Sequence, residues 1–370
     1  MKRSVCLNMI VKDESPVIKR CLASVKYLID YWVIVDTGSS DGTQDIVRET
    51  MRDIPGELHE RPWVDFSHNR NEALQLAKTH ADYILFLDAD EFLVLDEGAS
   101  LAPQDADVYF CPIYVDTFFF HRKLMVADRL DWKWMGAIHE VLICPELNDC
   151  EFLSGIRSIA TNEGKRARSG YKLLRDTALM EKDLEKDPTC LRKNYYLALQ
   201  YALIGDFAKG IVQCKKRISM GGDPELLFIT QLALGEMQEK MLMDPEIFLQ
   251  SYVTAYQMRP TRSEPLYFIA RHFLKAKKYL LAFLITKLAQ TIPYPNDYQY
   301  VRFSIYDYEL AMLWAESSYA LGKINETCDA YRKLIDQFET YLNRRELSRE
   351  FLEKIAEILP GMKQFVVENQ

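Results

Sequence analysis

Long apolar runs are absent from this chain of 370 residues. No apolar segment approaches the roughly 20 residues that a membrane-spanning helix needs, so no transmembrane segment is expected. The chain begins MKRSVCLNMIVKDE, where the apolar run behind the first basic residues is short and is interrupted by Asn8. This stretch is therefore expected to form a first β-strand and not a signal peptide.

Paired cysteines and an excess of positive charge are also missing. The eight cysteines are scattered without a CxxC pair, which argues against a zinc ribbon and against a disulfide framework. The 54 acidic residues outnumber the 46 lysines and arginines, which gives a net charge of −8. Neither nucleic acid nor an anionic membrane is therefore an expected partner. These absences favour a protein of the reducing cytoplasm.

The first 150 residues alternate apolar runs with amphipathic stretches. The runs SVCLNMIV, YWVIVDTG, YILFLDAD and ADVYFCPIYV are typical of strands, whereas SPVIKRCLASVKYLI, SDGTQDIVRETMRDI and SHNRNEALQLAKTH have the apolar spacing of helices. This alternation predicts an α/β domain with a Rossmann-like, mostly parallel sheet that is covered on both faces. Ligands of such sheets bind beyond the carboxyl ends of the strands, so the residues that follow each strand are the candidate site.

The second half of the chain has only helical patterns. Three segments resemble one another: YYLALQYALIGDFAKGI, YFIARHFLKAKKYLLAF and LWAESSYALGKINETCD. Their comparison pairs Ala198 with Ala270 and Ala315, and it pairs Gly205 with Gly322. Small residues at a helix crossing, followed by a turn, are the pattern of tetratricopeptide (TPR) repeats. Because the spacing is irregular, the prediction is an all-α, TPR-like domain that binds an acceptor or forms a homodimer.

The predicted domain boundary lies where the strand signals stop. Residues 1–165 form the α/β domain, 145–169 include its last loop and a linker, and 170–370 form the helical domain. The basic cluster KRAR at 165–168 is expected to be either a solvated linker or a contact to a phosphate or a lipid headgroup.

Asp36 closes the second predicted strand and is followed by TGSSDGT. Gly38 and Gly42 permit a tight turn, and the small residues between them allow a ligand to approach the backbone. The helix that begins near Thr43 would direct its N-terminal amides toward that ligand. A plain strand-to-helix turn explains the same residues, and composition alone does not separate the two interpretations.

Three acids stand together in ILFLDADEFL, directly behind an apolar strand. A helix N-cap would use one aspartate, but it does not need both Asp88 and Asp90. Carboxylates at i and i+2 after a strand lie on one side and can share Mg²⁺ or Mn²⁺, which in turn holds phosphate oxygens. The sequence therefore predicts a divalent cation that offsets the mutual repulsion of Asp88, Asp90 and Glu91.

WKWMGAIHEVL contains a second group of polar candidates. His139 is expected either as a hydrogen-bonded structural residue or as a metal ligand, and Glu140 as a general base. Trp132 and Trp134 are interpreted either as a stacking wall for a sugar or base, or as ordinary core. In WVDFSHNRNEA, Arg70 would suit phosphate binding through its planar fork, and a solvated surface position is the alternative.

These motifs resemble those of family 2 glycosyltransferases with the GT-A fold. CLNMIVKDESPVIKRCLASV, VIVDTGSSDGTQDIV, RPWVDFSHNRNEAL, ILFLDADEFL and WMGAIHEVL follow the order seen in that family. QMRPTRSEPLYFIARHFL, IPYPNDYQY and IYDYELAMLWAESSYALGK are similar to the tail of a subgroup that carries a TPR-like C-terminal region. That subgroup includes the S-glycosyltransferases that modify bacteriocin peptides.

The resemblance implies roles for the matched residues. It places Asp13 or Glu14 and Asp36 beside the nucleotide, Arg70 and Asn71 near the diphosphate or its metal, and Asp88 on the ribose or on metal-bound water. It implies that Asp90 holds the metal and that His139 is a further ligand or a diphosphate contact. Glu140 is the first choice as base, with Glu91 as its rival. One departure is Asn162, in IATNEGKRARSG, where relatives often have a histidine that would assist in metal or diphosphate binding.

The sequence thus predicts a metal-dependent glycosyltransferase that uses a nucleotide-sugar, with UDP as the expected nucleotide. The acceptor is expected to be a peptide, protein or glycan, attacked with inversion, and DTFFFHRKLMVADRLD is expected to be an acceptor loop. A TPR scaffold with an inactive transferase fold is the main alternative, but Asp88, Asp90, His139 and Glu140 are all present. A nucleotidyltransferase is less favoured because NMIVKDESPVIKR has no glycine for a triphosphate loop.

Overall fold

The structure, a computed structural model, describes residues 3–103, 105–136, 138, 140–161, 163, 170–342 and 349–369. It divides into two compact units, Met1–Pro188 and Thr189–Gln370. The helix Gly170–Lys186 lies in the first unit. The boundary predicted near residue 170 stays a prediction. No helix in the described ranges is long and apolar enough to cross a membrane.

The first unit is built on a mixed, mostly parallel sheet. Its strands are β1 Val5–Val11, β2 Tyr31–Asp36, β3 Gly56–Glu60, β4 Tyr83–Phe86, β5 Glu91–Leu95, β6 Val108–Val115, β7 Phe118–Ala127, β8 Lys133–Met135, β9 Val141–Ile143, β10 Cys150–Phe152 and β11 Ile156–Ala160. Its helices are α1 Ile18–Val25, α2 Thr43–Met51, α3 Phe66–Ala77 and α4 Gly170–Lys186. In the described part of this unit nine strands form one sheet in the order β3-β2-β1-β4-β7-β6-β11-β5, with β10 beside β6, and β8 pairs with β9.

Both faces of this sheet are covered, as the sequence predicts. Side chains of β1 alternate between the faces because successive strand residues point in opposite directions. Leu7 and Met9 pack in the same apolar cluster as the buried residues of α1 and α2. Cys6 packs on the other face, in the cluster that contains Leu74 and Ala77 of α3. The α/β fold class is confirmed.

The segment expected to be an acceptor loop is instead strand β7, so that prediction is wrong. β7 runs antiparallel to both β4 and β6 and lies in the interior of the sheet. Leu124, Met125 and Val126 are completely buried, and burial of these side chains holds the segment in the sheet. The basic residues before them, Arg122 and Lys123, obscure this pattern in the sequence.

The second unit consists of helices joined by turns and loops, without a β-strand among its described residues. Its elements are α5 Leu191–Ile204, α6 Phe207–Ser219, α7 Pro224–Lys240, α8 Pro245–Met258, α9 Glu264–Lys275, α10 Tyr279–Ala289, a π-helical turn Ile305–Glu309, α11 Leu310–Ala320, α12 Ile324–Leu342 and α13 Arg349–Glu368. Consecutive helices pack against one another in pairs such as α5 with α6, α9 with α10 and α11 with α12. The predicted helical class is confirmed.

The small residues that predicted TPR-like repeats occupy the expected positions. Ala198, Ala270 and Ala315 are all buried within their helices. Gly205 and Gly322 follow the first helix of their pairs with φ of 80° and 68°, a left-handed conformation that glycine adopts without strain. The second unit is therefore TPR-like in its local design.

Candidate active site

The candidate site lies at the edge of the sheet where the parallel strands end. Asp13 follows β1, Asp36 is the last residue of β2, and Asp88 follows β4. β1 pairs in parallel with both β2 and β4, so the three carboxyl ends meet at one edge. Ligands of α/β sheets bind at this edge.

Asp36 is completely buried and fixes the turn that follows it. Its Oδ1 accepts hydrogen bonds from the backbone N–H groups of Gly38 (2.8 Å) and Ser39 (2.7 Å). Gly38 has a φ of 104°, which explains the need for glycine in this turn. The second oxygen, Oδ2, is buried and has no hydrogen-bond partner in the described part of the chain. Such an oxygen suits an N–H or O–H donor from a ligand.

Asp13 and Glu14 connect the end of β1 to the same turn. Asp13 Oδ1 accepts the N–H of Ser40 at 2.8 Å, and the N–H of Asp13 donates to Ser39 Oγ at 2.8 Å. The N–H of Glu14 donates to Thr43 Oγ1 at 2.8 Å. These bonds hold the ends of β1 and β2 together. The nucleotide contacts predicted for Asp13 and Glu14 stay predictions.

Arg70 lies in α3 and joins two of the predicted acids. Its Nη2 donates to Asp88 Oδ1 at 2.6 Å, and its Nε donates to Glu140 Oε1 at 2.7 Å. The guanidinium also lies 4.9 Å from the ring centre of Trp134. Planar stacking and two charge-assisted bonds fix its orientation, so Arg70 is not a solvated surface residue.

Asn71 and the two tryptophans have structural contacts here. Asn71 Nδ2 donates to the carbonyl of Trp134, and the N–H of Trp134 donates to Asn71 Oδ1, both at 2.8 Å. This pair ties β8 to α3 and places Trp134 against Arg70. Trp132 is core: only 1% of it is exposed, and its Nε1 donates to the carbonyl of Ala127 at 2.9 Å. The nucleotide contact predicted for Asn71 remains a prediction.

Arg122 is the site residue that the sequence analysis missed. Its Nη1 donates to Asp88 Oδ2 at 3.1 Å, and its Nη2 donates to Glu91 Oε2 at 2.5 Å. The antiparallel register pairs Leu85 of β4 with Met125 of β7, and three more steps along that register bring Arg122 opposite Asp88. The available signal was the group His121, Arg122 and Lys123 between two apolar runs in FFFHRKLMVA.

The neighbouring acids Asp88 and Glu91 differ in pKa because burial and the two arginines act on them to different extents. Burial opposes ionisation of Asp88, but the adjacent Arg70 and Arg122 outweigh it and hold the pKa of Asp88 well below its usual range. Burial is stronger for Glu91, which is 4% exposed, and it raises the pKa of Glu91 to about 7 despite Arg122. Asp88 is thus the charged acid of the pair, and Glu91 is the acid that burial drives toward the neutral form.

The donor set for a divalent cation is incomplete within the described residues. They contain no group of three His, Cys, Asp or Glu side chains that could hold a metal ion, and His139 lies outside them, as do Asn162 and the KRAR cluster. Hard divalent cations often bind through one or two carboxylates plus substrate phosphates. Asp88 and Asp90 supply two carboxylates directly after β4, and both oxygens of Asp88 already accept from arginine.

The two predicted bases differ in access. Glu140 is held through Oε1 by Arg70, while its Oε2 has no hydrogen bond to any residue that the structure describes. Glu91 is 5% exposed in its side chain, and its Oε2 contacts both Arg122 and, at 3.4 Å, Ser158 Oγ. Glu140 therefore offers an accessible acceptor oxygen, whereas Glu91 is enclosed behind Asp88.

Comparison with known proteins identifies the segment that carries this site. Residues 6–98 match the family described as glycosyl transferase family 2. The chain is 44% identical over 100 residues to the TPR repeat-containing protein Synpcc7942_0270 of Synechococcus elongatus, with 27% of this chain and 24% of that protein covered. It is 32% identical over 148 residues to the SPbeta prophage-derived glycosyltransferase SunS of Bacillus subtilis, with 37% of this chain and 34% of that protein covered.

The aligned parts span about a quarter and a third of the length of these two relatives. Among solved structures, TTC0263, a thermophilic TPR protein of Thermus thermophilus, matches with 16% identity and a TM-score of 0.33, covering 51% of this chain and 91% of that one. Asp13, Asp36, Arg70, Asp88 and Asp90 all lie within the matched residues 6–98. The resemblance inferred from the motifs is confirmed: residues 6–98 match the family described as glycosyl transferase family 2.

Proposed function

We propose that the chain transfers a sugar from a nucleotide-sugar to an acceptor. The observation that carries this proposal is the cluster in which Arg70 and Arg122 share Asp88, at the ligand-binding edge of a family 2 segment. Paired guanidiniums in a partly buried site suit a diphosphate, because each presents a planar fork to phosphate oxygens. The glycosyltransferase SunS, which is similar over part of the chain, supports the same activity.

UDP is the nucleotide that fits Asp36 best. Uracil presents one ring N–H, whereas guanine presents an N–H and an adjacent amino group. Asp36 has a single oxygen left for a ligand, since Gly38 and Ser39 already bind the other. One acceptor oxygen suits the single donor of uracil. Asp13 and Glu14 would border the same pocket, as the resemblance implies.

The diphosphate would lie against Arg70 and Arg122. Both guanidiniums stay charged, since their neighbouring carboxylates raise the pKa of each arginine despite burial. Asp90, with Asp88 and His139 as further ligands, would hold Mn²⁺ or Mg²⁺. When bound, such a cation supplies positive charge to the diphosphate oxygens as they leave. Asn71 would position this region through its contact with Trp134.

Glu140 would act as the general base through Oε2, while Arg70 holds Oε1. It takes the proton from an acceptor hydroxyl or thiol, the acceptor atom bonds to the anomeric carbon, and the bond from that carbon to the diphosphate oxygen breaks. A single displacement from the opposite face inverts the anomeric centre. Glu91 is the rival base.

The acceptor would be a peptide, a protein or a glycan. TPR-like helical pairs bind extended ligands or assemble with copies of themselves, so the helical domain, residues 170–370, would hold the acceptor or form a homodimer. The alternative, a TPR scaffold with an inactive transferase fold, predicts that nucleotides do not bind.

Calorimetric titration with UDP, GDP and their sugars, each with and without Mn²⁺, tests the proposal. We expect UDP to bind more tightly than GDP and Mn²⁺ to increase the affinity. Asp90→Ala should remove the effect of Mn²⁺ and leave the fold intact, as judged by circular dichroism. Failure of the folded wild-type protein to bind any of these nucleotides would favour the scaffold instead.

A further inference from the structure

A cavity of about 230 Å³ lies within the helical unit, and none of the proposed donor-site residues lines it. It is formed by the first turns of α5 and α7 and by the chain that precedes the π-helical turn, part of the sequence motif IPYPNDYQY. The wall residues that matter here are Arg192, Tyr195, Tyr196, Glu225, Tyr298 and Gln299.

The cavity wall is fixed by hydrogen bonds. Glu225 Oε1 accepts the backbone N–H groups of Tyr298 (2.9 Å) and Gln299 (2.7 Å). The neighbouring Asp297 accepts from Arg259 through both of its oxygens, at 2.5 and 2.6 Å. The segment is therefore clamped to α7 and the cavity is preformed, which lowers the entropic cost of binding a ligand.

Two polar atoms of this wall are left without partners. Tyr195 is 1% exposed, and its hydroxyl has no hydrogen-bond partner among the residues that the structure describes. Buried polar atoms are nearly always hydrogen-bonded in folded proteins, so the Tyr195 hydroxyl indicates a ligand that carries hydroxyl or amide groups. Glu225 is half-buried, with 12% of its side chain exposed. It uses Oε1 for the backbone, and its Oε2 has no hydrogen bond within the same residues, which leaves an acceptor for such a ligand.

The charges around the cavity exclude strongly charged ligands. Arg192 places its guanidinium 4.7 Å from the ring centre of Tyr196, so an incoming cation would meet a like charge over that ring. An incoming anion would meet Glu225 and Asp223, which also lines the cavity and caps α7. A neutral molecule with both donors and acceptors avoids both conflicts.

The size and the aromatic walls restrict the ligand further. A cavity of about 150 Å³ is sufficient for a benzene-sized ring, and drug-sized ligands need roughly 300 Å³ or more. The cavity therefore accepts one six-membered ring with its substituents. Tyr298, which lines the cavity and is 48% exposed, supplies an aromatic surface, and the C–H face of a sugar ring packs well on such a surface.

We propose that this cavity binds one neutral pyranose ring, with sugar hydroxyls hydrogen-bonded to Glu225 Oε2 and to the Tyr195 hydroxyl. It is a sugar-binding site of the helical unit, separate from the donor site of the first unit. The inference does not depend on the proposed donor site, because all of its residues lie in the second unit.

Saturation-transfer NMR on the full chain, with methyl glucoside, methyl galactoside and N-acetylglucosamine as probes, tests this site. We expect at least one of these sugars to bind saturably. Tyr195→Phe should weaken its binding about 3- to 10-fold, the value of one hydrogen bond, and leave the melting temperature unchanged or higher. Glu225→Gln keeps Oε1 as the acceptor for the N–H groups of Tyr298 and Gln299. It should also weaken sugar binding. Tyr319→Phe, a change at a 60% exposed tyrosine outside the cavity, should have no effect.

Three results would overturn the proposal. One is the lack of saturable binding by all three sugars. Another is sugar binding that Tyr195→Phe and Glu225→Gln leave unchanged. The third is binding of Nα-acetyl-lysine amide, whose side chain is cationic, in place of the sugars, with loss of that binding in Tyr195→Phe. This result would assign the cavity to a cationic side chain. UDP affinity measured on the same variants should not change, so failure here is distinguishable from failure of the proposed transferase activity.

Discussion

Each unit of the chain contains a cluster of buried arginines and carboxylates, and the two clusters differ in how fully they are hydrogen-bonded. In the helical unit, Arg262 and Glu264 are both completely buried and meet at 2.6 Å. In the first unit, Arg70 and Arg122 share the partly exposed Asp88. The first arrangement is closed, and the second retains atoms for a ligand.

The helical cluster leaves no donor of Arg262 unused. Its Nε donates to both oxygens of Glu264 at 3.0 Å, its Nη1 to Asp297 at 2.9 Å, and its Nη2 to Glu264 and to the carbonyl of Tyr300 at 3.0 Å. Glu264 also accepts from the hydroxyl of Tyr306 at 2.5 Å. A fully satisfied network of this kind fixes α9 to the segment that precedes the π-helical turn.

The cluster of the first unit is incomplete by the same measure. Arg122 Nε and Asp36 Oδ2 are buried without hydrogen-bond partners in the described ranges. An unsatisfied buried group costs about 1–3 kcal/mol, which folding alone does not recover. The two clusters therefore differ in completeness: the Arg262 network is fully hydrogen-bonded, whereas Arg122 keeps a buried Nε without a partner in the described residues.

The largest effect expected on the open cluster is that of Glu140→Gln. Glutamine can still accept from Arg70, so UDP affinity should stay within about twofold, but it cannot take a proton. We expect the rate of UDP release from a UDP-sugar to fall about 10²- to 10⁴-fold, the usual value of a general base. Calorimetry on the same variant checks donor binding. Unchanged turnover would transfer the role of base to Glu91.

A substitution in the closed cluster of Arg262 and Glu264 should lower the free energy of unfolding and leave nucleotide binding unchanged. Arg262→Ala leaves Glu264 and Asp297 without their buried partner, and removal of one member of a buried pair costs about 3–5 kcal/mol. Urea denaturation of the full chain should show this loss. Arg332→Ala is the matched control, because Arg332 and Asp329 meet at the same 2.6 Å but are 47% and 58% exposed. Equal effects of the two substitutions would contradict the distinction between closed and exposed pairs.

Local patterns in the sequence were sufficient to predict two members of the first unit's cluster and insufficient to predict a third. Asp88 and Arg70 stand in short motifs whose chemistry is visible within a few residues. Arg122 reaches Asp88 only through the antiparallel register of β4 and β7, which joins positions 34 residues apart. No local pattern encodes that pairing, and the basic residues Arg122 and Lys123 obscured the strand, so the segment was expected to be a loop.

The buried strands of the first unit were predictable from the sequence, but its exposed strands were not. β1, β2 and β4 are almost fully buried, and their continuous apolar runs identify them as parallel strands. β3, with the sequence GELHE, and β10, with CEF, are edge or short strands with mostly exposed or half-exposed side chains. Their pairing comes from neighbouring strands and not from their own composition, so they were missed.

Asp36→Asn tests whether the unpaired oxygen of Asp36, Oδ2, binds the nucleotide base. Asparagine can keep Oδ1 as the acceptor for Gly38 and Ser39, but it places an amide donor where Oδ2 stood. We expect UDP affinity to fall about 10- to 100-fold, which corresponds to the loss of a bond to a charged acceptor. CDP is the control ligand, because cytosine has a ring nitrogen acceptor in place of the N–H of uracil. The variant should narrow the preference for UDP over CDP, and an unchanged preference would exclude Asp36 from base recognition.

The effect of Glu91→Gln on stability should depend on pH. Burial raises the pKa of Glu91 from 4.5 to about 7 in the folded chain. A carboxyl whose folded pKa lies above its unfolded pKa contributes its full stability below pH 4.5 and loses it as the pH rises through 7. Glutamine mimics the protonated acid and does not titrate. The stability of the wild type relative to the variant should therefore fall between pH 5 and pH 8, by roughly 1.4 kcal/mol for each unit of raised pKa. Parallel urea denaturation at these two pH values measures the difference. A difference that stays constant would show that Arg122 keeps Glu91 charged throughout, and the first unit would then hold its acids as tightly as the helical unit does.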